Sequence, residues 1–169
     1  MGGEGIAIVL VAFILLSVAW PLERGGWVER MPSLSGVVIG ALGIGFLLRK
    51  SSIPRVPAHL LALAVGVGVI IWQSSSLLPE MGWSGRVAKL WAALGGWLHA
   101  AGAGGIREGA IEFTILMLLL VWALGYSSAW FVLRKGRAWG AVIPSGLILL
   151  VTLNNLPESY YVYLLLYLL

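Results

Sequence analysis

The sequence predicts an all-α fold, a polytopic transmembrane helical bundle of about six spans with one amphipathic helix lying in the membrane interface. Three observations predict it. Of the 169 residues, 60% are apolar and 11% charged, with a mean hydropathy of +0.96, whereas soluble domains carry about 25% charged residues. Apolar runs alternate with short polar punctuation, and the longest run, Ile111 to Leu133, contains one charge, Glu112. As a helix at about 1.5 Å per residue that run reaches about 35 Å, more than the roughly 30 Å of a bilayer core. The Lys and Arg residues, finally, cluster where apolar runs end, the pattern of anchoring at a cytoplasmic membrane surface. The whole of 1–169 is expected to be one integral membrane domain.

Composition also excludes function classes. A net charge of +4 and a pI near 9.8 would suit nucleic acid, but membrane anchoring accounts for the basic clusters, and no nucleic-acid partner is expected. Cysteine is absent, which removes disulfides, thiolate metal sites and a cysteine nucleophile from this chain. Aspartate is absent too, leaving seven Glu as the only acids. The start MGGEG lacks the basic region of a signal peptide, so the first apolar run is read as a retained helix.

That first helix is expected over about 5–20, ending at Pro21, whose ring removes a donor and disfavours helix in the residue before it. Trp20 and Trp27 mark an interface. A second span covers about 34–48, where the Gly36 to Gly40 spacing offers a small-xxx-small surface for close helix approach. Arg49, Lys50 and Arg55 follow, with Pro54 and Pro57 expected to form a stiff turn. A third span covers about 58–73, with Gly66 and Gly68 repeating the glycine usage.

Between 83 and 101 the period changes. Trp83, Val87, Leu90, Trp91, Leu94, Trp97 and Leu98 fall within an arc of about 120° on a helical wheel, with Arg86 and Lys89 outside it. This is an amphipathic helix whose apolar face meets either lipid or protein. AGAGG at 101–105 reads as a hinge into the central span, about 111–133. Arg134 to Arg137 close that span, and a fifth covers about 138–153 with Pro144 expected to kink it. Asn154, Asn155 and Pro157 suggest a turn into a sixth helix at about 160–169, too short to span as it stands, so the chain is expected to continue in a longer protein.

The basic stretches Arg49 to Arg55 and Arg134 to Arg137 both follow even-numbered helices and share a side. Taking that side as cytoplasmic places the N-terminus inside and Glu23, Glu29, Glu80, Glu108, Glu112 and Glu158 outside.

Candidate chemistry is sparse. His59 and His99 lie on different segments without a partner at i+3 or i+4, so no metal site is expected. Glu108 and Glu112, one turn apart, could share a proton or a cation, but a helix N-terminus favours acids through its dipole alone. Asn154 and Asn155 before Leu-Pro are ordinary turn chemistry. The glycines form no nucleotide-binding pattern. The expected site inventory is therefore no catalytic, cofactor-binding or metal-ligating residue, and no cofactor.

The order of parts carries a resemblance. WPLERGGWVERMPSL, RKSSIPRVPAHLLAL, the Trp-rich amphipathic segment with AGAGG, SSAWFVLRKGRAW, IPSGLILLVTLNNLPES and YYVYLLLYLL resemble, over essentially the whole chain, the N-terminal membrane region of bacterial transglutaminase-like membrane proteins. The resemblance implies a non-catalytic anchor in a bacterial cytoplasmic membrane that holds a papain-like extracytoplasmic catalytic domain of the same polypeptide. The Cys, His and Asp of that domain have no counterpart here. The alternative is a stand-alone polytopic protein acting as an assembly subunit. A channel or transporter fits less well, because helices one to three offer only Ser17 and glycines away from the ends of their spans.

Overall fold

The computed structural model describes residues 2–28, 31–75, 77–78, 82–102 and 109–168, and among them all regular structure is helical. The helices are α1 (Gly2–Arg24), α2 (Leu34–Lys50), α3 (Arg55–Ser75), α4 (Trp83–Gly102), α5 (Ala110–Lys135), α6 (Trp139–Asn154) and α7 (Val162–Leu168), with a 3-10 turn over Glu158–Tyr161 before α7. Three segments, Gly5–Arg24, Arg55–Ser75 and Ala110–Lys135, are long and apolar enough to cross a bilayer. Trp139–Asn154 and Ser159–Leu168 are apolar but shorter. α2 is shorter as well, at 17 residues ending in Arg49 and Lys50. Three helices among the described residues therefore meet the length of a full span unaided, where six were expected.

Two prolines sit differently from expectation. α1 runs through Pro21 to Arg24, although an interior proline costs about 3 kcal/mol. Tertiary contacts beyond Pro21 offset this: Leu22 is buried, Glu23 binds the start of α2, and Arg24 donates to Tyr163. Pro57 lies inside the first turn of α3 rather than in a turn before it. Its missing N–H would have been an orphan at that position in any case, and the first helical bond follows from Ala58 N–H to the Pro54 carbonyl at 3.1 Å.

α5 is the central helix. It packs most extensively on α2 and also touches α1, α3, α4 and α6. Leu118 is fully enclosed, and Leu15 of α1, Leu34 and Val37 of α2 and Leu149 of α6 converge with it in one core. A smaller cluster of Leu48, Ala58 and Ala62 joins α2 to α3.

Helix association in lipid depends on close backbone approach, because lipid tails are as apolar as the side chains they would exchange for. The tight contacts are not at Gly36 and Gly40, where an added Cβ would meet nothing nearer than 3.4 Å. They are one turn further along. A Cβ on Gly125 of α5 would stand 2.8 Å from the Ala41 Cβ of α2, and one on Gly45 of α2 would collide with the Ala129 Cβ of α5. One on Gly66 of α3 would run into the Trp122 indole. Gly43, by contrast, faces open space.

A larger side chain at the α2–α5 seam must therefore separate two backbones. Gly125→Leu is expected to destabilise the bundle by at least about 1–3 kcal/mol, the usual range for overpacking, while Gly43→Ala leaves it unchanged or slightly more stable. Unfolding in detergent micelles followed by tryptophan fluorescence measures both.

Candidate functional site

The polar side chains gather at the two ends of the bundle. At the first end meet the C-termini of α1 and α3 and the N-termini of α2 and α7. Ser33 is the N-cap of α2 and its hydroxyl accepts from Gly36 N–H at 3.1 Å. The Glu23 carboxylate, reaching across from α1, accepts from Ser35 N–H at 2.7 Å and from the Ser35 hydroxyl at 3.0 Å. A carboxylate at this position satisfies an orphan donor and complements the positive end of the helix dipole. The expected end of the first helix at Pro21 leaves Glu23 in the connection to the second; the signal that could have found its role is the Ser33 and Ser35 pair opening the next helix. Beside it, the Arg24 guanidinium donates to the Tyr163 hydroxyl at 2.8 Å, and the Tyr160 hydroxyl donates to the Arg24 carbonyl at 2.7 Å. Trp20 packs on Tyr163 with ring centres 6.5 Å apart. Acid, base and two tyrosines thus lock α1, α2 and α7 together.

The opposite end is basic. Lys50 lies over the Phe46 ring at 5.0 Å, Arg134 over Trp130 at 4.5 Å and Lys135 over Phe131 at 4.9 Å. Each cation covers the aromatic side chain four residues before it, one helical turn back. His59 of α3 joins this end: its ring centre is 4.2 Å from that of Trp130, and its Nδ1 shares a 2.9 Å hydrogen bond with the Tyr126 hydroxyl. The cluster ties α3 to α5 and presents exposed charge at the rim. Gly136 ends α5 with φ of 60°, a left-handed cap that glycine adopts without strain.

The other singled-out residues have structural places. Glu112 stands in the first turn of α5 with its carboxylate folded against Gly109, the arrangement that a helix N-terminus alone accounts for. Glu108, the other acid of the expected pair, lies outside the described residues. His99 is exposed in the last turn of α4. Asn155 caps α6, its side-chain amide donating to the Val151 carbonyl at 2.8 Å. α6 is continuous through Pro144, and Ser145 beside it bonds the Ala141 carbonyl at 2.6 Å and the Tyr167 hydroxyl at 3.1 Å. Among the described residues no three His or Glu side chains stand together as a metal site.

α4 meets protein with part of its apolar arc. Leu90 is buried and Leu94 packs against the core, whereas Trp83 and Trp91 of the same arc are more than half exposed. The side chains of Trp97 and Leu98 lie outside the described residues.

An apolar core closed by one acid-capped and one basic rim defines a helical membrane protein with several helices long and apolar enough to cross a bilayer. Beyond that class, comparison with protein-family models, with curated proteins and with solved structures finds no match to this chain.

Removing the carboxylate that caps α2 tests the first rim. Glu23→Ala is expected to lower stability by about 1–3 kcal/mol, the range for losing the partner of a half-buried donor. Ser35→Ala in the Glu23→Ala background should then add little, since the two act through one network; chemical unfolding of the single and double variants reads the coupling.

Proposed function

We propose that this chain is the non-catalytic membrane domain of a transglutaminase-like membrane protein, anchoring and positioning an extracytoplasmic catalytic domain of the same polypeptide in a bacterial cytoplasmic membrane. The observation that supports it is how the polar side chains are used. Glu23, Arg24, Ser33 and Ser35 are engaged in helix caps and inter-helix bonds, and Thr114, Ser145 and Thr152 bond carbonyls of their own helices. Bonded inward in this way, they stabilise the bundle rather than line a path through it. A conducting or transporting bundle needs polar groups facing a shared cavity near the membrane midplane. The described cavities are instead small and apolar, with volumes of about 70 Å³ or less. The second reading, a stand-alone assembly subunit, draws support from the exposed apolar faces of α3 and α6, including Leu60, Leu63, Ile143 and Leu147.

The basic rim of Lys50, Arg134 and Lys135 marks the cytoplasmic side in this reading. A reporter inserted at Gly136 is expected to behave as cytoplasmic, and one inserted at Gly26, at the opposite rim, as extracytoplasmic; the reverse pattern overturns the orientation. The anchor reading itself is tested by reading the coding DNA past Leu169 and weighing the native polypeptide from membranes. A continuation of several hundred residues bearing a Cys, a His and an Asp in a mixed α/β pattern supports it, and a stop soon after Leu169 favours the assembly subunit.

A further inference from the structure

Pro144, Ser145 and Gly146 weaken α6 at the place that α7 covers. Pro144 has no N–H, so the Gly140 carbonyl loses its partner one turn on. The Ser145 hydroxyl donates back to the Ala141 carbonyl at 2.6 Å, a bond that bends helices. α6 nonetheless continues from Trp139 to Asn154. Across this weak turn reaches a side chain of α7: the Tyr167 hydroxyl donates to the Val142 carbonyl and stands 3.1 Å from the Ser145 hydroxyl. Gly146 makes the approach possible, because a Cβ there would stand 2.9 Å from the Tyr167 hydroxyl.

α7 is attached by its phenols more than by burial. Tyr163 alone is buried, Leu164 and Leu166 are half-buried, and Val162, Leu165 and Leu168 are more than half exposed. Tyr163 and Tyr167, four residues apart, share one face. At the upper end of that face the Tyr163 hydroxyl accepts from the Arg24 guanidinium at 2.8 Å, and Tyr160, its ring centre 6.0 Å from that of Tyr163, donates to the Arg24 carbonyl at 2.7 Å. In lipid, apolar contact with a neighbouring helix gains little over contact with acyl chains. The hydroxyl bonds therefore decide whether α7 lies against α1 and α6.

We propose that α7 is a releasable strap over a hinge in α6. Docked through Tyr160, Tyr163 and Tyr167, it fixes the bend of α6; when the phenols let go, α6 flexes at Pro144. Arg24 sets the strap and its neighbour Glu23 caps α2, so one end of α1 governs both. The inference rests on the bundle and does not depend on the anchor reading.

The test is distance measurement by electron paramagnetic resonance on the full chain in nanodiscs. The absence of cysteine lets spin labels be placed in chosen pairs. Gly68→Cys with Leu168→Cys reads the strap, Trp139→Cys with Val151→Cys reads the bend of α6, and Gly43→Cys with Gly68→Cys checks the fold. Gly43 and Gly68 face open space, and the other three positions are more than half exposed. One narrow distance is expected for each pair in the wild type. Tyr163→Phe with Tyr167→Phe should lower the ratio of docked to released strap by about ten- to a hundredfold, roughly three- to tenfold for each lost bond, which broadens the first two distributions and leaves the third narrow. Tyr161→Phe, on the exposed side, should change none of them. If the third pair broadens in the double variant, Gly146→Ala, which keeps every hydroxyl and displaces only Tyr167, decides by the same readings. A broad strap distance in the wild type, an unchanged strap distance in the double variant, a released strap over an α6 of fixed bend, or equal broadening by Tyr161→Phe overturns the proposal.

Discussion

The backbone contact between α2 and α5 is the constraint on which the remaining packing depends. Gly125 accepts Ala41 and Gly45 accepts Ala129 with no room for a further carbon at either place, so the two helices interlock at short range along a parallel seam. α2 is thereby held inside the bundle, with Val37, Val38 and Ala41 nearly inaccessible. A short helix terminating in Arg49 and Lys50 is tolerated at this depth because protein, not lipid, surrounds most of it. α1, α3 and α6 then close around the pair, and Trp122 fills the space that Gly66 leaves on α3.

A close-packed seam fixes distance but not axial register; the rims supply register. Each backbone donor at a helix start must find an acceptor when no bulk water reaches it, and the Glu23 carboxylate answers this for α2 while tying α2 to α1. The Arg24 carbonyl accepts from the Tyr160 hydroxyl and its guanidinium donates to the Tyr163 hydroxyl, which brings α7 to the same place. At the basic rim, His59 between Tyr126 and Trp130 plays the corresponding part for α3 and α5.

The helical class, the central span and the amphipathic character of α4 were legible because hydrophobic period and run length are properties of contiguous residues. What was not legible depends on partners distant in sequence. Pro21 looked like a helix end because its local penalty is visible in sequence, while the bonds of Glu23 and Arg24 that offset it reach residues 12 and 139 positions away. Gly36 and Gly40 matched the close-packing spacing, yet the tight seam uses Gly45 and Gly125, since which face of α2 meets α5 is decided by the whole bundle. The role of Glu112 in its own helix start was readable for the same local reason that the role of Glu23 across the rim was not.

The stacking of Lys50 on Phe46, Arg134 on Trp130 and Lys135 on Phe131 bears on how the bundle meets bilayers of unequal thickness. A long cation left to itself adapts to a thinner or thicker membrane by swinging its charge along the helix axis. Here each charge is parked against a ring on its own helix, so that freedom is reduced and the depth of this end is set to within about one helical turn, or 5.4 Å. Mismatch must then be absorbed at the other end, by tilt of α3 and α5 or by movement of α4 relative to them. The protein behaves as a fixture referenced to one membrane face, with its compliance confined to the other.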